Sequence, residues 1–231
     1  MQKFIFILLF SISQILFATN KSDTFMALGT YFYQQKDYIQ AKKMLDSCVM
    51  LNNQNDHCGY YRAQIAFDEQ DYDLAKIIFK GVLGLQPNDY ASWNMLGLTF
   101  LELKHYDSAE FCFKNAVKLN SKEAKFFANW GKNQLLRGNP SHALELFNTA
   151  IFLDPKYSNF YVNRAIILEK LGRKDSAIQD LKAAQTLDPQ NKIVKSKLNE
   201  LSPSYTYLYI GLGILFIFLF AFLVFRKKRT N

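Results

Sequence analysis

The residue types that do acid–base, nucleophilic or metal chemistry are thinly spread along this 231-residue chain. Its three histidines, His57, His105 and His142, lie far apart, and none stands in an HExxH or Cys/His spacing that would turn two ligands onto one face around zinc. Ser141 directly precedes His142, but neighbours on a helix project in different directions, so a solvated helix start is expected there and not a nucleophile with its base. The run Asp68, Glu69, Asp71, Asp73 offers oxygen ligands for calcium. It lacks the turn glycine and the twelfth-position glutamate of an EF-hand loop, and reads as a solvated inter-helix turn. No glycine-rich phosphate loop follows a strand, because no segment has a convincing strand pattern. The expectation is a protein that is not an enzyme and that holds no metal and no cofactor.

Charge narrows the partners. The chain has 28 Lys and Arg against 20 Asp and Glu, a formal +8, but Lys3 and the tail cations Arg226, Lys227, Lys228 and Arg229 account for much of it, leaving 23 cations against the same 20 acids in between. Those 23 are interspersed with acids and do not gather into a basic stripe, which argues against nucleic acid as a partner.

The 49% hydrophobic content is uneven. Phe4 to Phe17 and Tyr205 to Phe225 contain no charge. The second block has the ~20-residue length a helix needs to cross a hydrocarbon core, with Tyr205, Tyr207 and Tyr209 at one end and Arg226 to Arg229 at the other. Residues 205–225 are therefore expected as a transmembrane helix and 226–231 as a basic cytoplasmic tail. Lys3, an apolar stretch and small residues near Ala18 give 1–19 the order of a signal peptide, with an uncleaved N-terminal anchor as the alternative. Both versions place the middle of the chain outside the cytoplasm, in the periplasm if the source is bacterial, with a single pass after signal cleavage.

That middle repeats. Ala41, Ala75, Ala109, Ala143 and Ala177 follow one another at intervals of 34 residues. Four residues after each comes Leu45, Phe79, Phe113, Phe147 or Leu181, and seven after comes Cys48, Val82, Ala116, Ala150 or Ala184, which marks one face of a helix. Twelve residues before each alanine stands Gly29, Ala63, Gly97, Gly131 or Ala165, and four before that Phe25, Gly59, Trp93, Phe127 or Tyr161, the face of a second helix. Small residues where two helices cross let their backbones approach, so each unit predicts a helical hairpin. First helices fall near 22–35, 56–69, 90–103, 124–137 and 158–171, and second helices near 38–51, 72–85, 106–119, 140–153 and 174–187. Gly138 and Gly172 sit in turns, Asp71 and the pair Asn139-Pro140 are placed as helix starts, and 192–201 is expected as a capping helix.

Trp93, Leu96, Gly97, Phe100, Ala109, Phe113 and Ala116 fit the pattern W-x2-L-G-x2-Y, A-x3-F-x2-A, and Pro87, Pro155 and Pro189 fall where a closing proline belongs. On these residues the chain resembles the tetratricopeptide repeat (TPR) family over 22–189, with units at 22–55, 56–89, 90–123, 124–157 and 158–189, followed by a cap and linker at 190–204. Gly59 and Gln134 replace aromatic positions of the family, and Asn53 and Ser121 replace prolines. The implied fold class is all-α, a TPR superhelix (α-solenoid) of about five hairpins. Gly29, Ala41, Ala75, Trp93, Gly97, Ala109, Gly131, Ala143 and Ala177 are its packing residues.

The three cysteines are too few for a disulfide framework. Cys48 occupies a small core position, where burial as a thiol is one reading. A bridge to Cys58 across the turn between the first two hairpins is the other, and the Cα separation decides.

The resemblance implies a binding groove lined by first helices. Its positions would be Met26, Thr30 and Tyr33, then Tyr60, Gln64 and Phe67, then Asn94, Leu98 and Leu101, then Lys125, Asn129 and Lys132. Aromatics at one end and lysines at the other suit an extended or helical peptide with apolar side chains and an acidic group. The Lys/Asn set by which some relatives grip a terminal carboxylate is missing, since Met26 and Thr30 stand at its first positions. The expected function is a noncatalytic, membrane-anchored scaffold that binds a protein or peptide partner and associates with other membrane proteins. The alternatives are a ligand-sensing receptor subunit signalling through an associated membrane protein, and a tail-anchored cytosolic adaptor.

Overall fold

The computed structural model describes residues 21–51 and 56–201, with Gly211, Ile214 and Phe216 beyond them. Among the described residues there are eleven α-helices: α1 (Lys21–Gln34), α2 (Tyr38–Leu51), α3 (Asp56–Asp68), α4 (Tyr72–Leu85), α5 (Tyr90–Glu102), α6 (Tyr106–Leu119), α7 (Ala124–Leu136), α8 (Pro140–Leu153), α9 (Ser158–Lys170), α10 (Lys174–Leu187) and α11 (Lys192–Leu201). They fall into two compact units, one ending at Pro155 and one beginning at Lys156. In the first unit α1/α2, α3/α4, α5/α6 and α7/α8 are packed pairs. Each pair rests on the next, and the first helices α1, α3, α5 and α7 also touch in succession. In the second unit α9 pairs with α10, which carries α11.

The 34-residue spacing becomes burial. Ala41, Ala75, Ala109, Ala143 and Ala177 are fully buried, and so are the large residues one turn on, Leu45, Phe79, Phe113, Phe147 and Leu181. Burying each of these larger side chains stabilises its hairpin by roughly 1.5–3 kcal/mol. They have room because the first helix presents Gly29, Ala63, Gly97, Gly131 or Ala165. A Cβ built on Gly29, Gly97 or Gly131 would stand within 2.8 Å of Leu45, Phe113 or Phe147 respectively.

The turn inside each hairpin is also periodic. Lys36, Gln70, Lys104, Gly138 and Gly172 all have positive φ, between 60° and 84°. Around Lys104, its N–H donates to Leu101 O at 3.0 Å and the His105 N–H to Phe100 O at 2.8 Å. That is the Schellman closure, which satisfies the last carbonyls of α5 with one left-handed residue. Asp71 caps α4, its carboxylate accepting from the Leu74 N–H at 3.1 Å. Pro140 opens α8, but Asn139 makes no capping bond, because its Nδ2 donates instead to Gln134 Oε1 at 3.1 Å. That bond also gives the buried Gln134 a partner at a position where the resemblance leads one to expect an aromatic ring.

In the second unit Arg164 and Asp180 tie α9 to α10 by two bonds, Nε to Oδ2 and Nη2 to Oδ1, each 2.7 Å. Val194 and Leu201 of α11 are buried, while Lys197 reaches Glu169 at 3.1 Å.

The membrane reading requires correction. No described helix is long and apolar enough to cross a membrane. The helices run from 10 to 14 residues, so at ~1.5 Å per residue even the longest reaches only about 21 Å of a ~30 Å hydrocarbon core. The segment 205–225, expected as a transmembrane helix, lies outside the described residues apart from Gly211, Ile214 and Phe216. The expected signal peptide or anchor at 1–19 and the tail at 226–231 lie outside them altogether. Membrane anchoring, the signal peptide, the single-pass extracytoplasmic placement, the membrane as a partner, and the receptor and tail-anchored alternatives find no support among the described residues.

Candidate functional site

The first-helix face of the first unit carries the expected groove residues in three kinds of environment. At its N-terminal end, the Tyr33 hydroxyl donates to Asp68 Oδ2 at 3.0 Å and the Tyr38 hydroxyl to the same oxygen at 3.2 Å. The rings of Tyr33 and Tyr38 stack with centroids 6.0 Å apart, and Tyr61 lies 5.6 Å from Tyr33. Burial, then the hydrogen bond and charge of Asp68, raise the Tyr33 phenol well above its ordinary range. Burial, aided by the charge of Asp89, pushes Tyr60 up to about 12, while its oxygen accepts from Gln64 Nε2 at 3.0 Å. These phenols are neutral hydrogen-bonding groups at any physiological pH.

Further along, the face is partly consumed by packing. Tyr60, Phe67 and Leu98 lean on the core shared by α3 to α6, and Leu101, only 4% exposed, is inside it. Met26 likewise packs against the core of the first hairpin, and Thr30 Oγ1 donates to its own helix at Ala27 O, 2.9 Å away. Asn94 is 8% exposed and accepts from Asn129 Nδ2 at 2.9 Å, which joins α5 to α7. Lys125 and Lys132 on α7 are exposed.

Counting in steps of 34 from Asn94, Leu98 and Leu101 gives Ala128, Lys132 and Leu135, so Lys125 and Asn129 fall outside the strict register. Asn129 meets Asn94 because adjacent first helices are offset. The bonds Tyr33 to Asp68 and Asn129 to Asn94, which link successive first helices, each join residues 35 apart. Asp68 and Tyr61 therefore belong to this face although the groove pattern omits them, and Tyr38 at the start of α2 reaches its edge. Their signal was the crowding of tyrosine at 31, 33, 38, 60 and 61.

The other reactive residues are accounted for one by one. Asp68 takes the two phenols, Glu69 pairs with Lys42 at 2.8 Å, Asp71 caps α4, and Asp73 pairs with Lys76 at 2.6 Å, a contact that holds the Asp73 carboxyl below its usual range. Among the described residues no group of three or more His, Cys, Asp or Glu could hold a metal ion. The ring of His142 packs edge-on against Trp130 at 5.4 Å, and His105 precedes α6 without a capping bond. Cys48 and Cys58 form a disulfide with Cα atoms 6.3 Å apart, inside the range bridging requires. Cys112 is a buried thiol pushed up to about 12 by desolvation.

Residues 90–123 and 129–192 each match a family model described as tetratricopeptide repeat. Among curated proteins, the chain is 23% identical over 182 residues to the DnaJ homolog subfamily C member 7 homolog of Dictyostelium discoideum, covering 71% of this chain and 34% of that one. It is 24% identical over 178 residues to the BBSome complex member BBS4 of Bos taurus, covering 77% and 34%. The chain thus spans about a third of the length of these relatives. Solved structures share the fold: Pseudomonas aeruginosa pilF at TM-score 0.70 and 19% identity, covering 83% of this chain and 93% of that one. MamA from Desulfovibrio magneticus RS-1 superposes at 0.67 and 16%, covering 75% and 98%. YrrB, described as a TPR protein with an unusual peptide-binding site, superposes at 0.61 and 18%, covering 77% and 93%. The all-α, TPR-like repeat fold is thereby established.

Proposed function

We propose that this protein is a noncatalytic interaction scaffold whose first-helix face, from α1 to α7, binds an extended segment of a partner protein. The observation that carries the reading is the Asn129–Asn94 amide pair, which spans two hairpins in the middle of a face that is aromatic at one end and bears Lys125 and Lys132 at the other. Amides and phenols held in place by their own bonds can exchange hydrogen bonds with a peptide backbone at little ordering cost, and the half-exposed rings of Tyr33, Tyr60 and Phe67 offer apolar contact. The lysines suit an acidic side chain on the partner. The peptide-binding site of YrrB, a protein of the same fold, supports the reading by likeness.

Site-specific photocrosslinking in cells tests this, with the crosslinker at Tyr60 and at Lys132 and a control at Lys182 on α10. A discrete partner captured from both groove positions and not from the control is the expected result. Identical products at all three positions, or none, would remove the face from consideration.

A further inference from the structure

A second concavity lies away from the first-helix face. Leu83 of α4, Trp93, Leu96 and Phe100 of α5, and Phe111 of α6 wall a cavity of about 650 Å³. That volume lies within the ~300–1,000 Å³ of ordinary ligand pockets, and the lining is of the apolar kind such pockets have. Three observations describe what would occupy it.

The mouth is open at Gly84, where an added Cβ would find no atom within 4 Å. Phe111, 61% exposed, carries the apolar lining out to the surface, and Ile77, 64% exposed, occupies the same register position on α4 as Phe111 does on α6. Exposed large apolar residues that run on from a pocket mark an interaction surface more often than a small-molecule site, whose contacts are enclosed. The charge at the mouth is one-sided: Asp107 is taken by Arg137 Nη2 at 2.6 Å, whereas Lys80 forms no ion pair among the described residues and holds its ammonium 5.7 Å from the centre of the Phe100 ring. An ammonium standing over an apolar pocket favours an occupant that brings a carboxylate beside its apolar group. Cys112 also borders the cavity, its thiol buried and pushed up to about 12 by desolvation.

We infer that the cavity between α4, α5 and α6 docks an amphipathic helix of a partner protein, with one large apolar side chain in the pocket, a second on Phe111 and Ile77, and a carboxylate on Lys80. This surface is independent of the first-helix face.

The test uses the full chain and a fluorescein-labelled, N-acetylated 14-residue helical peptide carrying Leu, Phe and Leu at i, i+4 and i+7 and Glu at i+3, followed by fluorescence anisotropy. Saturable binding is expected. Gly84→Trp fills the mouth and should weaken it at least tenfold while circular dichroism and melting temperature stay unchanged. Lys80→Glu should weaken it several-fold, with affinity restored by a peptide bearing Lys in place of Glu. Lys182→Ala, on α10, should leave it unchanged. No saturable binding, or equal binding by Gly84→Trp, would overturn the inference. So would a dodecanoate probe that binds in a Gly84→Trp-sensitive way while the peptide does not, since the cavity would then be a site for small amphiphiles.

Discussion

Gly97 lies directly against the ring of Phe113: a Cβ on Gly97 would stand 2.6 Å from Phe113 Cε1 and 2.7 Å from Cδ1. Gly29 meets Leu45 and Gly131 meets Phe147 in the same way, each pair sixteen residues apart. The glycines are therefore demanded by helix contact, since within a helix they otherwise cost roughly 0.5–1 kcal/mol relative to alanine. Gly97→Ala should push the buried ring out of place and destabilise by about 1–3 kcal/mol, as overpacking does. Gly84→Ala, in open space, should be neutral or stabilise by up to about 1 kcal/mol. Urea melts of the two variants give the comparison, and equal midpoints would contradict the hairpin contact described here.

The five hairpin turns make a second test from within one molecule. Lys36, Gln70 and Lys104 hold the left-handed conformation that Gly138 and Gly172 hold at the equivalent places. A side chain there costs roughly 1 kcal/mol that glycine avoids. Lys104→Gly should therefore raise the melting temperature and Gly138→Ala should lower it, with helicity unchanged in both. Opposite signs would mean that the Lys104 side chain contributes something its turn geometry does not reveal.

How far the sequence spoke depended on whether a feature repeats. The alanine spacing placed Ala41 through Ala177, their large partners and the second helices, because a buried helical face leaves a period that every unit must keep. Nothing in residue type marked Lys36, Gln70 and Lys104 as left-handed, since only two of five turns use glycine. The Tyr33–Asp68 and Asn129–Asn94 bonds were also out of reach, because they cross between hairpins and depend on how far one is rotated on the next. A groove pattern counted in strict steps of 34 cannot contain that offset. The cavity beside Gly84 belongs to the second and third hairpins alone and leaves no repeat signal.

Thiol counting tests the Cys48–Cys58 bridge. In denaturant without reductant, one thiol, that of Cys112, should react with Ellman's reagent, and three should react after reduction. In the folded protein Cys112 should react slowly, being 2% exposed and held protonated. A bridge closing so short a loop contributes about 2–3 kcal/mol, so Cys48→Ser with Cys58→Ser should lower stability by that order. Three thiols in the unreduced, denatured chain would show the bridge is not formed.

In the second unit a largely buried ion pair joins α9 to α10. Arg164 and Asp180 are 22% and 8% exposed, and their bonds are two-pronged, which only the planar guanidinium can make. Removing one member leaves the other charge largely buried, an outcome that costs ~3–5 kcal/mol when burial is complete. Arg164→Met should fall near the lower end of that range, because the guanidinium keeps some contact with water, and Asp180→Leu should cost at least as much. The double variant should recover most of the loss, since two apolar side chains of similar size remove the stranded charge along with the pair. Hydrogen exchange across α9, α10 and α11 is the measurement of choice, because a local loss shows as faster exchange there even if the global midpoint barely moves. Single variants that exchange like the parent would mean that the pair decorates the contact between α9 and α10 without holding it.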